Sequence, residues 1–215
     1  MEITWLGHAC FRLRYDDIVV MTDPFPPSIG LRPDVRAVTI VTVSNSHLNH
    51  SGVEDVVGEP RVFNAPGEYE FQSVSVRGVM TPRPLETPQE QRNVAFTVEM
   101  DGVNICHLGD ITAPPTTAQI DELSPVDVLL IPTGGGCTMD VDQVLQTMQD
   151  LAPKVVIPMH HSNPEINNVT LQGVEVFMNR MGLSEVQAQP RLSVTTTNLT
   201  ADMRVVLLSP QGRPT

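Results

Sequence analysis

Residues Ala37–Gly52 read AVTIVTV followed directly by SNSHLNHSG. The first seven residues are apolar or β-branched, the pattern of a buried strand. The next nine are polar, carry His47 and His50, and end on a glycine, so a loop leaves the end of that strand. Loops at strand ends are where an α/β scaffold presents functional groups. The same arrangement recurs twice. HLGD follows the strand VNIC and puts Asp110 just beyond it, and PMHHS follows KVVI and puts His160 just beyond that one. Three strands therefore each end in a residue able to bind a metal. Imidazole nitrogens converging with a carboxylate form a donor set for zinc or a similar divalent ion. A lone histidine is more often a surface or hydrogen-bonded core residue than a ligand, so the weight lies on the repeated placement. His107, three residues before Asp110, reads as structural, and His161 as the neighbour of a ligand at His160.

Around this stretch the chain divides in rhythm. Short alternating or β-branched runs predict strands at Glu2–Trp5, Cys10–Tyr15, Ile18–Thr22, Val38–Val43, Arg61–Asn64, Tyr69–Val79, Val94–Met100 and Val103–Leu108. The second half alternates. Helices are predicted at Thr117–Leu123, at Asp140–Leu151 with Gln143 closing a capping box, and at Thr170–Met181 ending on Gly182. Strands are predicted at Val126–Ile131, Val155–Met159, Arg191–Thr195 and Met203–Ser209. Strands first and alternation later point to sheets covered by helices on the outside. The proline-rich segment Met80–Arg92 reads as a surface loop.

The chain has 215 residues, enough for one domain over 1–215 with a substantial core. Net charge is −12, and Lys154 is the one lysine among 13 basic residues. An acidic surface of this kind repels phosphate backbones and disfavours nucleic acid. The longest apolar runs, such as VDVLLIP, are too short to cross a bilayer, and MEITWLGHAC has no signal-peptide pattern. Cys10, Cys106 and Cys137 are widely spaced, which fits reduced thiols in a cytoplasmic protein. Cys137 reads as a buried thiol, and Gly134–Gly136 before it as a structural turn.

The strings ITWLGHACF, TDPF, SNSHLNHSG, APGEYEF, HLGD, VDVLLIPTGGG and VVIPMHH occur in that order from Ile3 to His161. Together they resemble the metallo-β-lactamase fold superfamily, in its small single-domain branch of zinc-dependent hydrolases similar to the ascorbate-6-phosphate lactonase type. The resemblance implies an α/β fold, a four-layer αββα sandwich with a metal site at one edge between the sheets. It also implies a signature loop His-x-His-x-Asp-His, a later third His, a bridging Asp and a last His. These hold two metals and a hydroxide that attacks an ester, lactone, amide or phosphoester.

The chain departs from that pattern. Asn45 stands where the first His belongs and Asn49 where the Asp belongs. No His occurs between His50 and His107, and the expected place falls near Arg83. The positions that match are His47, His50, Asp110 and His160, which are the expected metal ligands. His47 and a share of Asp110 make a weak first site, whereas His50, Asp110 and His160 make a plausible three-ligand second site. Asp110, Asn49 and His8 are the candidate catalytic positions, although Asn cannot act as a general base. His8, in GHACF, is expected either to line the pocket or to be paired within the sandwich, and Glu68 in GEYE could face it.

The expectation is a hydrolase with at most one divalent metal, zinc foremost, with manganese, iron or no metal as alternatives. Its substrate would be a small ester, lactone or phosphoester, with no nucleic-acid or membrane partner and room for a homo-oligomer. The competing reading is a non-catalytic descendant of the fold, and a nuclease is disfavoured by the charge.

Overall fold

The computed structural model describes residues 1–82, 92–166, 170–183 and 185–215. The position near Arg83 and most of the Met80–Arg92 loop lie outside these residues. The strands are β1 (Glu2–Gly7), β2 (Cys10–Tyr15), β3 (Ile18–Thr22), β4 (Leu31–Arg32), β5 (Ile40–Thr42), β6 (Arg61–Phe63), β7 (Gly67–Phe71) and β8 (Val74–Met80). They continue with β9 (Val94–Met100), β10 (Val103–His107), β11 (Val128–Pro132), β12 (Val155–Met159), β13 (Leu192–Ser193), β14 (Arg204–Val205) and β15 (Arg213–Pro214). The helices are α1 (Thr117–Leu123), α2 (Val141–Leu151) and α3 (Val174–Arg180).

One sheet runs β13-β1-β2-β3-β5-β6 and the other β14-β12-β11-β10-β9-β8-β7. Alternation along each strand explains why they stack. Ile3 and Trp5 of β1, Val103 and Ile105 of β10, Val128 and Leu130 of β11, and Val155, Ile157 and Met159 of β12 share one apolar core. The intervening Cys106, Leu129, Ile131 and Val156 face the other way, into a second core with Leu123, Val144, Met148, Leu151 and Phe177 of the three helices. The result is an α/β sandwich.

The outer face of the first sheet is covered differently. Leu6, Met21 and Val41 pack under Phe25, Ile29, Leu31 and Val56, which come from extended chain and two single-turn 3₁₀ helices, Pro27–Ile29 and Val53–Asp55. The segment PFPPSIGLRP has too many prolines to sustain an α-helix.

Local sequence accounts for most element ends. The α2 capping box is present, with Asp140 accepting from the Gln143 N–H at 2.9 Å and Gln143 Oε1 accepting from the Asp140 N–H at 3.0 Å. The predicted strand Tyr69–Val79 is a hairpin of β7 and β8, because Gln72 adopts a left-handed φ of 55°. The predicted helix at Thr170 begins only at Val174, after Gly173 as N-cap.

Phe96 of β9 is fully buried and pairs with Gly78 on one side and His107 on the other. A Cβ on Gly78 would lie 2.9 Å from the Phe96 ring, so the glycine makes room for it. Phe96→Ala is therefore expected to destabilise the fold by about 3–5 kcal/mol, read by urea denaturation. A loss below ~1 kcal/mol would contradict the packing described.

Candidate metal centre

The centre forms where the ends of β1, β3 and β5 in one sheet meet those of β10, β11 and β12 in the other. β10, β11 and β12 are adjacent and parallel, so their C-terminal loops emerge side by side, the place where open α/β sheets bind ligands. His8 occupies the turn between β1 and β2 with φ 52°, after Gly7 at φ 116°. Its carbonyl accepts from the Trp5 indole N–H at 3.0 Å and from the His160 backbone N–H at 2.9 Å. Asp23, just after β3, and His160, just after β12, are also left-handed, at φ 40° and 49°. Non-glycine residues in that region cost on the order of 1–3 kcal/mol each, and such strain gathers at functional sites.

Donor atoms of His8, His50 and His160, all buried, lie within 4.8 Å of one another. The His8 ring centroid is 4.1 Å from that of His160 and 4.8 Å from that of His50. Asp110 stands against two of the three, with Oδ1 3.2 Å from His160 Nε2 and Oδ2 3.6 Å from His50 Nε2. Donors sharing one ion at metal–ligand distances near 2.0–2.1 Å sit roughly 3.3 Å apart around a tetrahedron, so these spacings fit a common ion. His8 Nδ1 and His160 Nδ1 are buried with no hydrogen-bond partner among the described residues. The protonation states also suit ligation. Burial holds the His8 imidazole well below its ordinary value, helped by the neighbouring His160, His50 and His47. Burial lowers His160 to about 4, against the opposing pull of Asp110. Both rings are therefore neutral at pH 7, the form that binds metal.

The supporting residues include two that sequence reasoning left out. Asp23 accepts from the Ser44 N–H at 2.7 Å and from the Ser44 hydroxyl, and its Oδ2 accepts from His50 Nδ1 at 2.8 Å. A carboxylate there fixes the Nδ1–H tautomer and leaves the His50 Nε2 lone pair turned toward Asp110. Its signal was TDPF, a strand ending, like the other three, in a residue able to bind a metal. Asn93 Oδ1 accepts from the Asp110 N–H at 2.7 Å while its amide donates to the Leu108 carbonyl at 2.8 Å. It thus holds the Gly109–Asp110 turn, and a Cβ on Gly109 would collide with that side chain and with Ser44. Nothing local in the sequence marks Asn93.

The structure brings His50, Asp110 and His160 together and adds His8 to them. His47 is exposed, its Nδ1 accepts from the Asn49 N–H at 3.2 Å, and its ring centroid lies 6.2 Å from that of His50. Asn45 is buried, its Oδ1 accepting from the His47 N–H at 2.9 Å and its amide donating to Ser44 Oγ at 3.2 Å. Asn49 is partly exposed. His107 continues the inward face of β10 and donates from Nε2 to the Ala9 carbonyl at 2.8 Å, a structural role. His161 lies tilted against Trp5, with ring centroids 4.9 Å apart, and Glu68 pairs with Arg77 on the β7–β8 hairpin at 3.3 Å. Cys137, expected as a buried thiol, is exposed.

The model of the β-lactamase superfamily domain matches residues 2–160. A UPF0173 metal-dependent hydrolase of Methanoculleus marisnigri is 30% identical, over 98% of this chain and 94% of its own length. Another, from Archaeoglobus fulgidus, is 30% identical over 75% of this chain and 84% of its own. In a crystal structure, a Thermotoga maritima protein assigned as a Zn-dependent hydrolase of the metallo-β-lactamase superfamily is 31% identical. It covers 96% of this chain and 97% of its own, with a TM-score of 0.76. The chain belongs to the β-lactamase superfamily and, within it, to the family of the UPF0173 metal-dependent hydrolases.

Two outcomes follow from the geometry. Asp23→Asn keeps the shape but loses the charge and one of the two acceptor oxygens shared by Ser44 and His50. Calorimetric titration should show zinc affinity falling about 10–100-fold, and an unchanged affinity would remove Asp23 from the centre. In metal-free protein, His160 stays neutral down to about 4 while the unfolded chain takes up protons from 6.5 downward. The contribution of the neutral ring is complete above pH 6.5 and is lost between 6.5 and 4. For His160 it is on the order of 3 kcal/mol. Thermal denaturation of chelator-treated protein should show this fall, and a flat profile across that window would contradict it.

Proposed function

We propose that this protein is a hydrolase using a single divalent metal, zinc foremost, on a small ester, lactone or phosphoester taken from solution. The observation that carries the reading is the convergence of His8, His50 and His160 with Asp110 at one sheet edge. A divalent ion held by these residues supplies Lewis-acid polarisation and a nucleophile at neutral pH. The single-metal reading draws on the other half of the loop. The Asn45 amide is engaged with Ser44 and the His47 backbone, and His47 itself is exposed and apart from the three buried histidines.

The roles of the chain's own groups follow. His50, oriented by Asp23, and His160, held by the His8 carbonyl, present ring nitrogens to the ion. With Asn49 in place of an acid, Asp110 is the carboxylate in the cluster able to accept a proton, and its side chain is one-tenth exposed. A cavity of about 350 Å³, lined by Asn45, Ser46, Ser51, Asn64 and Arg92 on the loop's flank, offers polar groups for a small substrate. No helix among the described residues is long and apolar enough to cross a membrane. The three cysteines are thiols, as a reduced, cytoplasmic protein would keep them. The loss of an acid at Asn49 favours a second reading, a binding protein that keeps the metal and has given up catalysis.

Elemental analysis and initial rates on chromogenic esters, lactones and phosphodiesters test both. We expect close to one metal per chain, turnover abolished by chelator, and His160→Ala losing both metal and turnover while still folding. A metal-loaded protein inert on every substrate class would favour the binding reading. No metal after reconstitution would overturn both.

A further inference from the structure

We infer that Cys137 is a ligand of the same ion, making the centre a mixed nitrogen, oxygen and sulfur site that prefers thiophilic divalent metals. This rests on the single-metal reading above. β11 lies between β10 and β12, and each of the three parallel strands sends one donor from its C-terminal loop: Asp110, Cys137 and His160. Their donor atoms lie within 4.8 Å of one another, and His160 is 2% exposed. The thiol is thus placed beside a buried imidazole that belongs to the histidine cluster.

The loop is built to bring it there. Gly134 packs directly on the His160 backbone, where a Cβ would collide with the His160 carbonyl oxygen and lie 3.0 Å from His161 Cα. Gly135 and Gly136 take left-handed φ values of 60° and 65°, which turn the chain back over the centre. The Gly135 carbonyl closes that turn by accepting from the Thr138 N–H at 3.2 Å and its hydroxyl at 3.1 Å. On one side the Gly134 carbonyl accepts from the Gln172 N–H at 2.8 Å. On the other the Met139 N–H donates to the Ile111 carbonyl at 3.2 Å, next to Asp110. Cys137 is therefore fixed between the loops carrying the other two donors.

The donor set leaves a place for a soft ligand. The histidines bring nitrogen, Asp110 one anionic oxygen and Asp23, behind His50, a second buried negative charge, so a thiolate adds an anionic sulfur donor to a nitrogen and oxygen set. On binding, the S–H bond breaks, the sulfur keeps the pair and donates it to the ion, and the proton leaves to solvent past the exposed thiol. A thiolate favours zinc, cobalt or cadmium over magnesium and manganese.

Cobalt(II) loading tests this without reference to turnover. Wild-type protein should show visible d–d bands together with a near-ultraviolet thiolate-to-cobalt charge-transfer band. Cys137→Ser, at an exposed position, should melt like the metal-free parent, keep d–d bands and lose the charge-transfer band. Its zinc affinity should fall by at least the roughly 10–100-fold typical of a lost metal-site partner. Neither Cys10 nor Cys106 belongs to a donor group among the described residues, so neither is expected to supply the band. Wild-type d–d bands without charge transfer, or charge transfer persisting in Cys137→Ser, would overturn the inference and leave the hydrolase reading standing. Absence of any d–d band in wild type would overturn both.

Discussion

The backbone N–H of His160 donates to the carbonyl of His8 at 2.9 Å, and the site is organised around that bond. It joins the first sheet to the second at the edge where their strand ends meet. Both residues sit in the left-handed region, which L-amino acids adopt only when their surroundings over-determine it. The Trp5 indole shares the same carbonyl, and Trp5 is buried in the core between the sheets. Core packing thus reaches the centre through one side chain, and the strain at His8 and His160 is held by burial elsewhere. The His8 and His160 rings, 4.1 Å apart, are a property of the closed sandwich and of no single loop.

That origin explains what the sequence could and could not reveal. Strand-end placement made His50, Asp110 and His160 readable, because a buried strand running into a polar loop leaves a local pattern. The Asp140–Gln143 cap of α2 was readable too, because a capping box is also a local pattern. Asp23 and Asn93 were not singled out, since their roles exist only across the sheet: Asp23 reaches a loop 27 residues away and Asn93 a turn 17 residues away. Cys137 was read as buried because no histidine or lysine stands beside it in the sequence, whereas the structure exposes it on a loop whose Gly134 packs on the His160 backbone. The hairpin at Gln72 escaped because one left-handed residue breaks a run that otherwise alternates like a single strand.

The signature loop is divided in its work. Its last residue, His50, is held inward by Asp23, while His47 faces solvent and Asn45 caps the loop with its amide. A neutral Asn45 satisfied by neighbours carries no desolvation penalty from an unpaired polar group, so the loop is stable without a ligand on that side. The inner half is different. Three imidazoles and a carboxylate buried together are stable when their lone pairs have something to share, and one divalent cation fits that donor set.

Anomalous scattering from crystals of zinc-loaded protein tests this account most directly. One peak per chain is expected, at bonding distance of about 2.0–2.3 Å from donors of His8, His50, His160 and Asp110. A peak bound through His47 and Asn45, or two peaks of equal height, would contradict it.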